Sequence, residues 1–191
     1  MPSTKLILAS ASPRRIELLQ QLGWSFVTQA ADIDETPLLN EAPQELVCRL
    51  AEQKALAVYQ QQQDPAVAVL GADTIVVVEQ QILGKPSDYL DSLRMLKLLS
   101  AKQHQVMTAI SLYYNNQAHT QLVCTEVFFS PVSETQIAAY WDSGEPCDKA
   151  GSYAIQGLGG KFVERIDGSY SSVVGLPLVE TDRLLHSHIT R

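Results

Sequence analysis

Apolar residues in the first third of the chain form two patterns, short continuous runs and spacings of three or four residues. The run "LIL" close to the N-terminus predicts a buried strand. Ser12 followed by Pro13 is typical of a helix start, and the apolar stripe behind them stops at Gly23. After an extended segment and the acidic loop "DIDET", the spacing predicts a second helix from Pro43 to about Gln62.

A long apolar stretch, "AVAVLGADTIVVVEQQILGKP", occupies the middle of the chain. Valine and isoleucine runs of this kind are typical of strands that are buried on both faces. We therefore predict a strand, a break at "GADT", a second strand and a tight turn that ends at Gly84-Lys85-Pro86. A helix is predicted to follow, with Ser87 as its N-cap. Its predicted core positions are Leu90, Leu93, Leu96 and Leu99.

The remaining pattern predicts a hairpin, a helix, a glycine-rich loop, a strand and a last helix. The hairpin turns at Asn115-Asn116, the helix spans Ser133 to Ser143, and the last helix starts near Pro177. Helices and strands alternate, but a hairpin interrupts them. We therefore expect an α/β fold with a mixed sheet flanked by helices, built as a single domain over residues 1–191.

Composition and charge narrow the classes of function. Apolar residues make up 46% and charged residues 18% of the chain, with no apolar run of membrane-spanning length. The formal net charge of −7 argues against nucleic acid or an anionic membrane as the main partner. The 3 cysteines are far apart and form no CxxC pair, which favours reduced thiols. The first residues show no signal-peptide pattern, so we expect a cytoplasmic protein.

Two adjacent arginines, Arg14 and Arg15, fall in the first turn of the helix that Pro13 begins. The start of a helix carries the positive end of its dipole, so two cations there are mildly unfavourable without a negative partner. Either an acidic patch of the protein or an anionic ligand supplies that partner.

Further charged residues lie in the loops and at the strand ends where function usually lies. They are Lys85 and Lys149, which together with Lys54 in the second predicted helix are set against Glu35, Asp73 and Asp148. An acidic protein with basic residues near glycine-rich loops suggests a small polyanion as ligand, and a phosphate chain bound with a divalent metal fits best.

Asp73 has the most unusual position of these residues, because it stands between two apolar runs. A carboxylate there is costly without a metal, a cation or a hydrogen-bonding partner. Aspartate at such a break is also a common turn residue or cap. The sequence pattern leaves both interpretations open.

Lys85 and Gln156 also have two interpretations each. The segment "GKP" is not a phosphate-binding P-loop, so Lys85 is either a ligand residue or part of a surface turn. Gln156 lies in "GSYAIQGLGG", where an amide can read a base edge with its paired donor and acceptor or be an ordinary polar side chain.

Seven motifs in order, over nearly the whole chain, resemble the Maf family of nucleoside triphosphate pyrophosphatases. They are "LILASASPRR", "DIDET", "AEQKA", "VLGADTIVV", "LGKP", "GEPCDKAGSYAIQG" and "VVGLPL". The segments "SPRR", "GADT" and "DKAGSYAIQG" resemble the dTTP/UTP branch rather than the branch that acts on 7-methyl-GTP. The resemblance implies an inosine triphosphatase-like fold with an elongated mixed sheet, two lobes and a central cleft.

The resemblance also implies a house-cleaning reaction, hydrolysis of dTTP and UTP between the α and β phosphates with Mg²⁺ or Mn²⁺. By position, Asp73 corresponds to the catalytic proton acceptor, and Asp73 and Glu35 correspond to metal ligands. Phosphate-contacting positions are matched by Ser10, Arg14, Arg15, Lys54 and Lys85. Positions linked to base choice are matched by Arg14, Thr74 and Gln156. Asp148 and Lys149 match the motif "DKAG", and the resemblance leaves their individual roles open.

Partners and rival functions follow from the same resemblance. It implies a nucleoside triphosphate substrate, modified pyrimidine nucleotides among them, and a homodimer. The net charge of −7 predicts no stable nucleic-acid or membrane partner. A nucleotide-sensing regulator of septum formation is the alternative from another class, and a purine-editing enzyme is the nearest enzymatic rival. A substrate panel with and without metal separates the three.

Overall fold

The computed structural model describes residues 4–190, which form an α/β structure. The helices are α1 (Pro13–Gln21), α2 (Pro43–Tyr59), α3 (Tyr89–Leu99), α4 (Glu134–Trp141), α5 (Tyr170–Val174) and α6 (Leu178–His188). The strands are β1 (Leu6–Leu8), β2 (Phe26–Thr28), β3 (Ala68–Val78), β4 (Gln81–Leu83), β5 (Gln103–Tyr114), β6 (Gln117–Phe129) and β7 (Val163–Asp167). Short 3-10 turns fill the glycine-rich segment between α4 and β7.

The strands form one mixed sheet in the order β2-β1-β3-β5-β6-β7, and β4 pairs with β3 outside this path. β1 pairs in parallel with both β2 and β3, while β4 and β7 pair antiparallel with β3 and β6. The prediction of a mixed α/β sheet is therefore confirmed. None of the helices formed by the described residues has the length and apolar character of a membrane span.

The chain divides into two compact units. The first unit comprises residues 4–73, 108–123 and 175–190, and the second comprises residues 74–107 and 124–174. In the first unit, α2 packs its buried face on β1 and β3 through Ala55, Val58 and Val69. The core of the second unit joins α3, α4 and the ends of the long strands around Leu96, Phe129 and Phe162.

The strand around "GADT" differs from the prediction, because β3 runs from Ala68 to Val78 without a break. Gly71 lies inside the strand, where a Cβ atom would stand 2.2 Å from the carbonyl oxygen of Ala51 on α2. Glycine is thus required for close approach of a helix and not for a turn. The turn lies instead at Glu79 and Gln80, both with positive φ, between β3 and β4.

The N-cap of α3 lies one residue later than the predicted Ser87. Asp88 is its N-cap and accepts a hydrogen bond from the backbone N–H of Asp91 at 2.8 Å. Leu90 was expected in the core but is 70% exposed. The buried face of α3 is centred on Ser92 and Leu96, and Leu90 lies about 200° from Ser92 around the helix axis.

Turns and caps elsewhere confirm the predictions from local sequence. Asn115 and Asn116 have the positive φ values of a two-residue hairpin turn. Ser133 and Gln136 form the predicted capping box of α4. Ser12 is the N-cap residue of α1, as expected, but its side chain makes no capping hydrogen bond.

His104 lies in the core of the second unit, with its Nε2 2.8 Å from the hydroxyl oxygen of Tyr153. Burial lowers the pKa of His104 to about 4, so the folded protein keeps the ring neutral. The unfolded chain binds a proton on this residue below about pH 6.5. Stability is therefore expected to fall by about 3 kcal/mol as the pH drops from about 6.5 to about 4.

A His104→Gln variant, which can still hydrogen-bond Tyr153 but does not titrate, tests this expectation. Its free energy of unfolding in urea should change less between about pH 7 and about pH 5 than that of the wild type. Equal pH dependence of the two proteins would contradict the assignment.

Candidate active site

Three charged side chains of the first unit form a compact cluster around Lys54 on α2. The ammonium nitrogen of Lys54 lies 2.6 Å from Oδ1 of Asp73 on β3 and 2.7 Å from Oε1 of Glu35. The side chain of Asp73 is 9% exposed, whereas that of Glu35 is 55% exposed. Asp73 therefore lies on the buried side of the cluster, and Glu35 lies on the side that faces solvent.

The protonation of Asp73 reflects two opposed effects. Burial raises the pKa of the Asp73 carboxyl above its ordinary value, and the neighbouring charges of Lys54 and Arg15 act in the opposite direction. A carboxyl group whose affinity for a proton is increased by burial is suited to accept a proton during a reaction. The same feature is common at functional sites.

The loop that carries Glu35 is attached to α2 by Arg49. The Arg49 guanidinium bonds both carboxylate oxygens of Glu41, at 2.5 and 2.8 Å, and the backbone carbonyl of Thr36 at 3.2 Å. Hydrogen bonding to Arg49 lowers the pKa of Glu41 to about 2. Glu35 therefore reaches Lys54 from a loop whose other end is held by an ion pair.

Arg15 has a backbone partner far along the chain. Its Nε donates to the carbonyl oxygen of Gly175 at 2.9 Å, although 160 residues separate them. Burial lowers the pKa of Arg15 and the Asp73 carboxylate opposes this shift, but a guanidinium stays charged at neutral pH. Arg15 thus adds a fixed positive charge beside the Lys54 cluster.

Ser10 and Arg14 flank this charge. Ser10 follows β1, is buried, and accepts a hydrogen bond from the backbone N–H of Ser12 at 3.1 Å. Arg14 makes no hydrogen bond or ion pair with any residue from 4 to 190. Its cation in the first turn of α1 therefore has no protein carboxylate as partner within the described chain, and an anionic ligand can approach it without displacing one.

The other predicted site residues belong to the second unit. Thr74 follows Asp73 on β3 and is partly buried, while Lys85 and Gln156 are exposed, after β4 and in the glycine-rich segment. Lys149 forms an ion pair with its neighbour Asp148. The structure thus brings Lys54, Asp73, Glu35 and Arg15 of the first unit together, and the individual roles of all the predicted site residues stay predictions.

Comparison with known proteins identifies the family of this chain. The model of the family described as Maf-like protein matches residues 5–188. The chain belongs to the Maf family. A protein of Vibrio cholerae serotype O1 named dTTP/UTP pyrophosphatase is 55% identical over 186 residues, covering 97% of this chain and 99% of that protein.

Further Maf relatives give the same result. A protein of Pseudoalteromonas atlantica is 56% identical over 182 residues, covering 94% of this chain and 95% of its own length. One from Shewanella sp. is 55% identical over 188 residues, covering 94% and 96% of the two chains. Both are named dTTP/UTP pyrophosphatase. The similarity extends over essentially the whole chain.

Several residues that build the site of this Maf chain escaped the sequence analysis. Arg49 and Glu41 attach the Glu35 loop, and the carbonyl of Gly175 holds Arg15. Gly175 stands in the motif "VVGLPL", to which we gave no role, and its φ of 128° is a value that favours glycine. The place of Gly175 in a family motif was the sequence signal that could have identified it. No sequence pattern pointed to the pair of Arg49 and Glu41.

Proposed function

We propose that this protein hydrolyses dTTP and UTP between the α and β phosphates and releases the nucleoside monophosphate and pyrophosphate. The observation that carries the proposal is full-length identity of 55–56% to relatives with that named activity. The charge arrangement of the first unit supports it independently. A triphosphate carries about four negative charges, and the three cations Arg14, Arg15 and Lys54 can offset most of them.

Lys54 is the residue that we expect to change partners on substrate binding. In its bond to Glu35 the carboxylate side chain is 55% exposed and the lysine side chain is 11% exposed, so solvent weakens this bond from the Glu35 side. A triphosphate carries more negative charge in total than one carboxylate, and one of its oxygens can replace Glu35 at the ammonium. The buried bond to Asp73 is kept, so Lys54 is held between the proton acceptor and the substrate.

Asp73 is the residue that we propose to take the proton from the attacking water. The water oxygen forms a bond to the α or the β phosphorus atom, and one proton of the water passes to Asp73. The bond between that phosphorus atom and the bridging oxygen of the α and β phosphates breaks. The negative charge that develops on the phosphate oxygens is stabilised by Arg15 and Lys54, which are already in place.

The two carboxylates fit a divalent metal that arrives with the nucleotide. Asp73 and Glu35 both lie within 2.7 Å of one atom, the Lys54 nitrogen, so their oxygens converge. Mg²⁺ typically takes one or two carboxylates and fills its other positions with phosphate and water. Residues 4–190 contain no cluster of three or more acidic, His or Cys side chains that could hold a metal. When bound, the metal would neutralise phosphate charge and lower the pKa of a coordinated water.

The test is a substrate panel of dTTP, UTP, CTP, ATP and GTP with Mg²⁺, Mn²⁺ or a chelator. We expect pyrophosphate and monophosphate in equal amounts from dTTP and UTP, and none when the metal is removed. Release of orthophosphate and a diphosphate would contradict the position of cleavage. Saturable binding of UTP without any product would favour the nucleotide-sensing alternative, and faster turnover of ATP or GTP would favour purine editing.

The partner and localisation predictions stand beside this proposal. A homodimer is expected from the family resemblance, and a cytoplasmic location stays a prediction from the sequence. Sedimentation of the purified protein at several concentrations tests the first, and cell fractionation tests the second.

A further inference from the structure

The exposed residue Gln156 lies in a segment whose backbone is hydrogen-bonded to two side chains. The segment is residues 154–159 of the second unit, "AIQGLG". Tyr140 on α4 accepts the backbone N–H of Ala154 at its hydroxyl oxygen, 3.1 Å away. Glu145, just after α4, accepts the backbone N–H groups of Leu158 and Gly159 at 2.8 and 3.0 Å.

Both ends of this segment are therefore attached to one connected pair. The Tyr140 hydroxyl donates to Oε1 of Glu145 at 2.7 Å, so the two anchors are themselves bonded. The first anchored amide lies two residues before Gln156 and the second two residues after it. A further bond from Gly157 N–H to the Ala154 carbonyl, at 3.3 Å, closes the turn that contains Gln156.

The backbone lies directly on these two side chains. A Cβ atom on Gly157 would stand 2.1 Å from a carboxylate oxygen of Glu145, and one on Gly159 would stand 2.6 Å from the Tyr140 hydroxyl. Any larger residue would force either the anchoring side chain or the segment to move, and both movements lengthen the anchoring bonds. The two glycines thus serve close approach, which is a geometric requirement and not flexibility.

The chemistry of the pair suits a fixed anchor. Tyr140 is fully buried and packs edge-on against Phe162, yet phenylalanine would fill that core position without a polar atom. Burial and the bond to Glu145 raise the pKa of Tyr140, so it remains a donor. Although desolvation opposes it, backbone hydrogen bonds lower the pKa of Glu145, which therefore stays an ionised acceptor.

We propose that Tyr140 and Glu145 are positioning residues that set base selectivity by holding Gln156 in one place. The proposal rests on the proposed function and on the family resemblance, which links Gln156 to base choice. An amide discriminates between bases only when its donor and acceptor are held within about 0.5 Å of the required geometry. A loop with free amides could adapt to several base edges and would discriminate less.

A double-mutant cycle tests the proposal. Tyr140→Phe keeps the packing and removes the hydroxyl, and Gln156→Ala removes the amide. We expect each single variant to lower kcat/KM for UTP about tenfold, mainly through KM, with little change for GTP. Tyr140→Phe loses a buried hydrogen bond, and Gln156→Ala loses a contact with the base. The double variant should be no worse than Gln156→Ala alone.

Hydrogen exchange measures the anchoring without reference to activity. Tyr140→Phe should speed amide exchange at Ala154, Leu158 and Gly159 and leave the rest of the second unit unchanged. Glu145→Gln should act in the same direction at Leu158 and Gly159, because the amide offers one acceptor oxygen in place of two.

Thr125→Val is the matched control, since Thr125 also has a buried hydroxyl in the second unit and bonds Ser169 instead. It should lower Tm without changing the ratio of kcat/KM for UTP to kcat/KM for GTP. Wild-type protein without UTP hydrolysis would overturn the proposed function itself. Wild-type activity combined with an unchanged ratio in Tyr140→Phe, or fully additive losses in the double variant, would overturn the positioning role alone.

Discussion

Asp73→Asn is expected to lower kcat for dTTP and UTP by about 10²–10⁴-fold, the range that a general base contributes. The amide has the size of the carboxylate but cannot accept the proton of the attacking water. It also offers the incoming metal a neutral oxygen in place of a charged one. Pyrophosphate release under saturating UTP measures the loss.

Stability should change little in the same variant. Burial already disfavours the ionised form of Asp73, and Lys54 keeps its bond to Glu35 when the Asp73 charge is removed. Thermal unfolding of the variant is therefore expected close to wild type. Asp64→Asn, at a surface carboxylate that accepts the N–H of Ala66, is the control and should keep full activity. Unchanged turnover in Asp73→Asn would remove this residue from the mechanism.

Gly71→Ala is expected to cost about 3 kcal/mol of stability, because it overpacks the contact between β3 and α2. The added Cβ would stand 2.2 Å from the Ala51 carbonyl oxygen and 2.8 Å from the Ala55 nitrogen. Both are backbone atoms, so the helix itself must move. A fall in Tm of about 6–12 °C corresponds to this loss for a chain of this size.

Gly84→Ala is the matched control for that measurement. No atom lies within 4 Å of a Cβ placed on Gly84, and we expect a change within about 0.5 kcal/mol. Because α2 also carries Lys54, Gly71→Ala should lower UTP turnover in the fraction that remains folded. A Gly71→Ala protein as stable as Gly84→Ala would show that the helix can move away at little cost.

The candidate site was only partly predictable from sequence. A buried carboxylate such as Asp73 signals a missing partner, but nothing in the local pattern identifies Lys54, 19 residues earlier, as that partner. The family resemblance named both residues without giving their contact. The exchange of partners that we propose for Lys54 depends on the unequal exposure of Asp73 and Glu35, which is a property of the folded chain.

Local sequence alone determined the features that depend on interactions within a few residues. The hairpin turn at Asn115-Asn116, the capping box of α4 and the proline start of α1 follow from backbone preferences and short-range hydrogen bonds. The mixed α/β class and the Maf family also follow from the order of elements and motifs along the chain.

Tertiary structure decided what depends on contacts between distant segments. "GADT" contains a glycine and an aspartate, which are frequent in turns, yet it continues a strand because α2 approaches Gly71 closely and Lys54 pairs with Asp73. In the same way, the carbonyl of Gly175 holds Arg15, and Tyr140 with Glu145 holds the segment of Gln156. Such partners are chosen by packing and by the need to satisfy buried polar groups, which a linear pattern does not contain.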